Sequence, residues 1–218
     1  MPATLRKWSK SPITWGEINK YAEEGTLDQI LNIWDEITFT DKAGAERTAV
    51  VAKITEKGAF FAMKDIHDVR AMYRRPPESP VSWAESDARQ TLNVDDFGLL
   101  PEDLAKVITP RRIVQKVKGK EYVTDDKLWY FSATELFGKS VGKKTCDSPD
   151  EEQLPIFLTE ADRVKNYDGE TWWYNTRSPL STSTTTFCIV GYYGNAYSNG
   201  ATTAIGASFG FLIGSQIK

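Results

Sequence analysis

Residues 171–190 read TWWYNTRSPLSTSTTTFCIV, and the way this stretch is read decides the fold. Two tryptophans and a tyrosine lead into Arg177-Ser178-Pro179. A serine and threonine run follows, and Phe187-Cys188-Ile189-Val190 closes the stretch as a short apolar strand. After Arg177 no charged side chain occurs until Lys218, although 26% of the chain is charged. Such a stretch is either an unusual core or a surface that meets a partner. Trp172, Trp173, Arg177 and Pro179 read as a scaffold that fixes a turn, with the Ser/Thr run in a loop. Arg177 is expected to be partly buried, paired, or stacked on Trp172 or Trp173. Its role reads as structural, with ligand contact as the alternative.

Downstream, Phe187–Gly191, Tyr192–Tyr197 and Phe209–Ile213 are expected to form short strands joined by Gly, Asn, Ser and Thr loops. Tyr192, Tyr193, Asn195, Tyr197, Ser198 and Asn199 are the residue types that adaptable binding surfaces use. Tyrosine offers rigid amphipathic area at low entropy cost, and Ser, Asn and Gly supply adaptable hydrogen bonds. A glycine-rich sheet whose tyrosines cap its edge accounts for the same composition.

Upstream, three segments carry one capping pattern: Thr14-Trp15-Gly16-Glu17, Ser82-Trp83-Ala84-Glu85 and Ser132-Ala133-Thr134-Glu135. A hydroxyl at the cap and a glutamate three residues on satisfy free amides from both sides, so each predicts a helix start. The first helix buries Trp15, Ile18 and Ala22 and stops at Gly25. A further short helix begins at Pro101 and runs through Leu104 to Ile108. Strands are expected at Ile37–Phe39, Thr48–Ile54, Ala59–Met63, Ile113–Val117 and Leu128–Phe131, with a hairpin turn at Val117–Tyr122. Helices come early and the glycine-rich strands last, which predicts an α+β fold with a mostly antiparallel C-terminal sheet.

Composition excludes several classes. With 218 residues, 40% of them hydrophobic, the chain is long enough to bury a substantial core. A net charge of −3 and a pI near 5.4 argue against a nucleic-acid or anionic-membrane binder. The basic cluster Arg111, Arg112, Lys116, Lys118 and Lys120 is offset by Glu121, Asp125 and Asp126 and reads as a solvated hairpin face. The N-terminus lacks the apolar core of a secretion signal, and the longest apolar run, Ala204–Ile213, is too short to span a bilayer.

Chemistry-bearing motifs are few. No phosphate-binding glycine loop, nucleophile elbow, zincin helix or calcium loop occurs. Cys146 and Cys188 are the only cysteines and His67 the only histidine, so no structural zinc pattern exists. The two thiols read as independent, a Cys146–Cys188 disulfide being the alternative. His67 reads as a surface or polar structural residue. Asp95-Asp96 and Asp125-Asp126 read as caps and solvated turns, and Asp147–Glu152 as a flexible exposed loop rather than a cation site.

Several segments together resemble an uncharacterised family of bacterial and phage proteins with a "WW-x-RSP" signature near the C-terminus. Trp172-Trp173-Tyr174-Asn175-Thr176-Arg177-Ser178-Pro179 matches it with one extra residue before the arginine, and Phe187-Cys188 matches the "F-C" strand that follows. A "W-x-x-S-D-x-R-x-x-L-N" helix is matched by Trp83, Ser86, Asp87, Arg89, Leu92 and Asn93, followed by Leu100–Leu104. A "D-K-L-x-x-x-S-x-x-E-x-F-G" stretch is matched by Asp126-Lys127-Leu128, Ser132, Glu135 and Phe137-Gly138. The opening "T-W-x-E-I" is Thr14–Ile18. The final strand departs, because Gly206–Phe211 lacks the family's Arg and Pro.

This resemblance implies a C-type-lectin-like fold, related to formylglycine-generating enzymes and to the variable proteins of diversity-generating retroelements. It implies an N-terminal arm over 1–13 and a single domain over 14–218. It also implies binding rather than catalysis, often within phage tail or surface-exposed proteins. The Glu-Pro-Asn and Trp-Asn-Asp motifs of calcium-dependent sugar binding do not occur. The expectation is therefore a non-enzymatic recognition module at a virion or cell surface, without cofactor or metal. It would contact a cell-surface protein or glycan through Tyr174, Asn175, Tyr192, Tyr193, Asn195, Tyr197 and Asn199. No nucleic acid and no membrane insertion is expected. The alternatives are a virion or surface-assembly subunit, forming a homo-oligomer or docking on a tail partner, and an oxidative enzyme of the formylglycine-generating type using the cysteines.

Overall fold

The structure, a computed structural model, describes residues 13–78 and 80–215. The arm expected over residues 1–13 lies outside the described residues except for Ile13, which packs against the main core. The strands are β1 (Glu36–Thr40), β2 (Glu46–Thr55), β3 (Gly58–Met63), β4 (Asp68–Arg70), β5 (Ile108–Thr109), β6 (Arg111–Val117) and β7 (Lys120–Asp126). They continue as β8 (Lys165–Tyr167), β9 (Glu170–Trp172), β10 (Tyr174–Pro179), β11 (Thr186–Val190), β12 (Ala196–Gly200), β13 (Ile205–Ala207) and β14 (Gly210–Gly214). The helices are α1 (Trp15–Glu24), α2 (Asp87–Thr91), α3 (Phe97–Leu99), α4 (Glu102–Val107), α5 (Ala133–Phe137), α6 (Lys139–Gly142) and α7 (Glu160–Arg163).

Two five-stranded sheets hold the molecule together, in the orders β1-β2-β3-β14-β5 and β12-β11-β10-β13-β4, with hairpins β6-β7 and β8-β9 beside them. All pairings are antiparallel except one, Tyr174 of β10 with Gly206 of β13. The fold is α+β, as the order of elements predicts. The last strand lies between β3 and β5, so residues 205–214 stitch the two sheets together. Close approach is needed there: a Cβ on Gly210 would sit 2.4 Å from the Phe131 ring and 2.8 Å from the Phe61 carbonyl.

The main core is aromatic. Trp15 of α1 meets Phe39, Phe61 and Phe211 edge-on at 5.6–5.8 Å, while Phe61 stacks on Phe211 at 5.0 Å. Such pairs add about 1 kcal/mol each beyond the area they bury. The helix that delivers Trp15 starts as expected: Thr14 accepts from the Glu17 amide, Glu17 accepts from the Thr14 amide, and Gly25 ends it in the left-handed region. A second core gathers Phe131, Leu136, Phe157, Tyr174 and Val190.

Four expectations are corrected. No helix starts at Ser82, because the amide of buried Trp83 is drawn to Gln115 Oε1 at 3.2 Å and its indole nitrogen to Asp126 Oδ2 at 2.7 Å. The Ser82 hydroxyl accepts only from the Glu85 amide, and the helix begins one turn later with Ser86 as its cap. Leu128–Phe131 is buried but pairs at a single bridge, Trp129 with Gly210. Tyr192–Tyr197 is interrupted by a turn, and β12 begins only at Ala196. Finally, Arg177 and Pro179 fix no turn. They lie in β10, the central strand of the second sheet, buried at every position.

Candidate functional site

The turn between β11 and β12 brings the tyrosines of the uncharged C-terminal stretch to solvent. The amide of Gly191 donates to the Asn195 carbonyl at 2.8 Å, and the amide of Gly194 donates to the Gly191 carbonyl at 2.9 Å. Gly194 is required: its φ is +77°, and a Cβ would lie 1.9 Å from the Glu160 carbonyl oxygen. Arg163, buried at the end of α7, pins the turn from below. Its Nε donates to the Gly194 carbonyl and its Nη1 to the Phe157 carbonyl, both at 2.7 Å, and its guanidinium lies 4.9 Å from the Phe137 ring centre.

On this support stands an aromatic cluster. Tyr192 stacks on Trp173 at 5.3 Å and meets Trp172 edge-on at 5.7 Å. Tyr193, at the tip, is 82% exposed and Tyr197, on β12, is 64% exposed. Beside Tyr197 a shallow groove of about 370 Å³ is lined by Val141, Lys144, Leu180, Cys188 and Ser198. Trp172 and Trp173 therefore serve as a platform for Tyr192, and Arg177 is not stacked on either of them.

Tyr174 and Asn175 are removed from the contact face. Both are buried, Tyr174 within the second core; the Tyr174 hydroxyl donates to the Arg163 carbonyl at 2.8 Å and Asn175 Nδ2 donates to the Arg70 carbonyl at 3.1 Å. Their polar groups are taken up inside the fold. Asn195 and Asn199 are half-buried, and the Asn199 side-chain oxygen is occupied by the Gly200 amide at 2.8 Å.

Behind β10 lies a charged centre that motifs did not reveal. Arg177, fully buried, donates through Nη1 to Glu135 Oε2 at 2.6 Å and to the Tyr130 carbonyl at 2.8 Å, and through Nη2 to Glu151 Oε1 at 2.5 Å. Arg111 Nη1 lies 2.5 Å from Glu135 Oε1 while its guanidinium covers Phe60 and Trp129 at 5.3 and 5.0 Å. Burial disfavours the charged form of Glu135, yet the two arginines outweigh it and hold the carboxyl down at about 2. Burial pushes Glu151 up to about 7, with the charges of Glu135 and Asp147 adding and Arg177 opposing. Asp147 accepts from the Thr134 amide at 3.0 Å and from the Ser178 hydroxyl. So Arg111 is no solvated hairpin residue, and 147–152 is no freely exposed loop. Ser132-x-x-Glu135 was legible as a cap, but nothing local signals that its glutamate also neutralises Arg177.

One member of each acid pair, Asp126 and Asp96, is also tertiary, while Asp125 and Asp95 are exposed. Buried Asp126 receives Trp83, Arg89 Nε at 2.7 Å and the Thr124 hydroxyl at 2.9 Å. Asp96, at the end of a π-helical turn over Leu92–Asp96, pairs with Arg70 at 2.6 Å and with His67 at 3.1 Å. His67 is thus a half-buried polar structural residue, one of the two roles expected of it. Cys146 and Cys188 are buried free thiols; burial raises both, Cys188 to about 12. Among the described residues no group of His, Cys, Asp and Glu side chains is placed to hold a metal ion, and no helix is long and apolar enough to cross a membrane.

An α+β chain of two mostly antiparallel sheets, with an aromatic turn at one end of the second sheet, is what these elements define. Residues 57–207 match the family described as a domain of unknown function, DUF6273, and the chain belongs to that family. No curated protein and no solved structure matches it.

Proposed function

We propose that the chain is a non-enzymatic recognition module of C-type-lectin-like architecture, carried on a virion or cell surface, that binds a cell-surface protein or glycan through Tyr192, Tyr193 and Tyr197. The observation that carries this reading is an 82% exposed tyrosine held on a turn anchored by buried Arg163. Exposing a large aromatic on a rigid turn gains nothing for folding. It does lower the entropy cost of binding, because the side chain is already in place. The lack of any charge from Ser178 to Ser215 makes such contact weakly dependent on salt.

The test is an array of surface glycans and surface proteins probed with wild type and with Tyr193→Ala/Tyr197→Ala. Losing even one hot-spot tyrosine costs about 2 kcal/mol or more, so bound ligands should weaken at least about thirtyfold. Equal binding by the double variant removes the assignment. One observation favours self-assembly as the second reading: β12 is an edge strand without a charged residue, the kind of edge that pairs with another chain. A defined oligomer in light scattering that dissociates on Ser198→Lys would support it.

A further inference from the structure

A cleft of about 500 Å³ lies over the charged centre, away from the residues of the aromatic turn. Strands and loop contribute opposite charges to it. Lys53 of β2 and Arg111 and Arg112 of β6 bring cations, whereas Asp150, Glu151 and Glu152 of the irregular segment 147–154 bring anions. Phe60 and Leu212 add apolar surface. Among the described residues, Lys53, Asp150 and Glu152 make no ion pair.

Glu151 points to a ligand. Its side chain is only 9% exposed and Oε1 is taken by Arg177, yet Oε2 has no hydrogen-bond partner among the described residues. A buried carboxylate oxygen without a donor is a costly arrangement that a bound N–H group would relieve. Arg111 is held firmly by Glu135, Phe60 and Trp129, so the positive side is fixed in advance.

The charge pattern selects the chemistry. Glu135 lines the cleft as well, and Arg111 and Glu151 already pair with Glu135 and Arg177, so a neutral molecule leaves Lys53, Asp150, Glu152 and Glu151 Oε2 without a partner, while a simple anion meets the acids and a simple cation the bases. We propose that this cleft binds a small zwitterion, an amino acid or short peptide with a free ammonium and a free carboxylate. The ammonium donates to Glu151 Oε2 beside Asp150, the carboxylate meets Lys53 and Arg112, and an apolar side chain lies on Phe60 and Leu212. The proposal stands apart from the aromatic face.

Calorimetric titration of the full chain with glycyl-leucine, N-acetyl-glycyl-leucine and glycyl-leucine amide tests it. Glycyl-leucine should bind, and blocking either end should weaken binding by about tenfold or more, since each block removes a charge-assisted contact. Glu151→Gln should weaken glycyl-leucine about tenfold while Tyr193→Ala leaves it unchanged. Should Glu151→Gln fail to fold, exposed Asp150→Ala and Lys53→Ala decide, each expected to weaken binding severalfold. No binding by folded wild type at about 10 mM peptide, equal affinity for the blocked peptides, or unchanged affinity in these variants would overturn the proposal.

Discussion

Arg177 shows how one residue can be read correctly in kind and wrongly in place. Its pairing was legible from a lone arginine among aromatics, but its partners, Glu135 and Glu151, lie 42 and 26 residues away in sequence. Replacing it by Met would leave Glu151 buried without its cation and Glu135 with Arg111 alone, a loss of about 3–5 kcal/mol in urea unfolding. The same centre gives a pH signature. Glu135, held below its usual 4.5, contributes stability that is complete above 4.5 and lost as pH falls toward 2. Glu151, raised from 4.5 to about 7, does the reverse: the folded state binds the extra proton, so stability declines as pH rises from 4.5 to 7. Glu151→Gln should remove that decline. Unfolding free energies at pH 5 and pH 7.5 should differ less in the variant, by roughly 1–3 kcal/mol. An identical difference in both proteins would contradict the placement of Glu151.

Elements were legible where the local chemistry was self-contained. Thr14 and Ser132 cap helices as their sequences require, because every partner lies within one turn. Ser82 carries the same pattern and fails, since Gln115 and Asp126 hold Trp83 from a distant hairpin. The strand β10 was hidden for a similar reason: buried on both faces, it shows no alternation of polar and apolar residues, and its Asn, Thr, Arg and Ser find partners only in the folded chain. The turn that follows β11 is the element to which the proposed function assigns binding. Gly194→Ala forces a side chain into the left-handed region and against the Glu160 carbonyl, and should destabilise by about 1–3 kcal/mol. Thermal melts and near-ultraviolet dichroism of the tyrosines check this; an unchanged melt would mean that the turn is not held as described.

At the scale of the whole molecule, the order of elements along the chain gave the α+β class, whereas the way residues 205–214 join two sheets rests on pairings between segments more than a hundred residues apart. Cohesion comes from packing and from buried ion pairs, with both thiols free. A reductant should therefore leave the melting temperature unchanged; a fall on reduction would reveal a bond the fold does not contain. Within this frame the exposed rings of Tyr193 and Tyr197 contribute little to folding, and the central claim is that they are displayed for contact. The direct measurement is a paired one on Tyr193→Ala/Tyr197→Ala: melting temperature, and binding to whichever array ligand the wild type captures. Substitutions at such exposed positions shift stability by within about 0.5 kcal/mol, so the melt should stay in place while binding weakens at least about thirtyfold. Binding that survives in a folded double variant would contradict the claim.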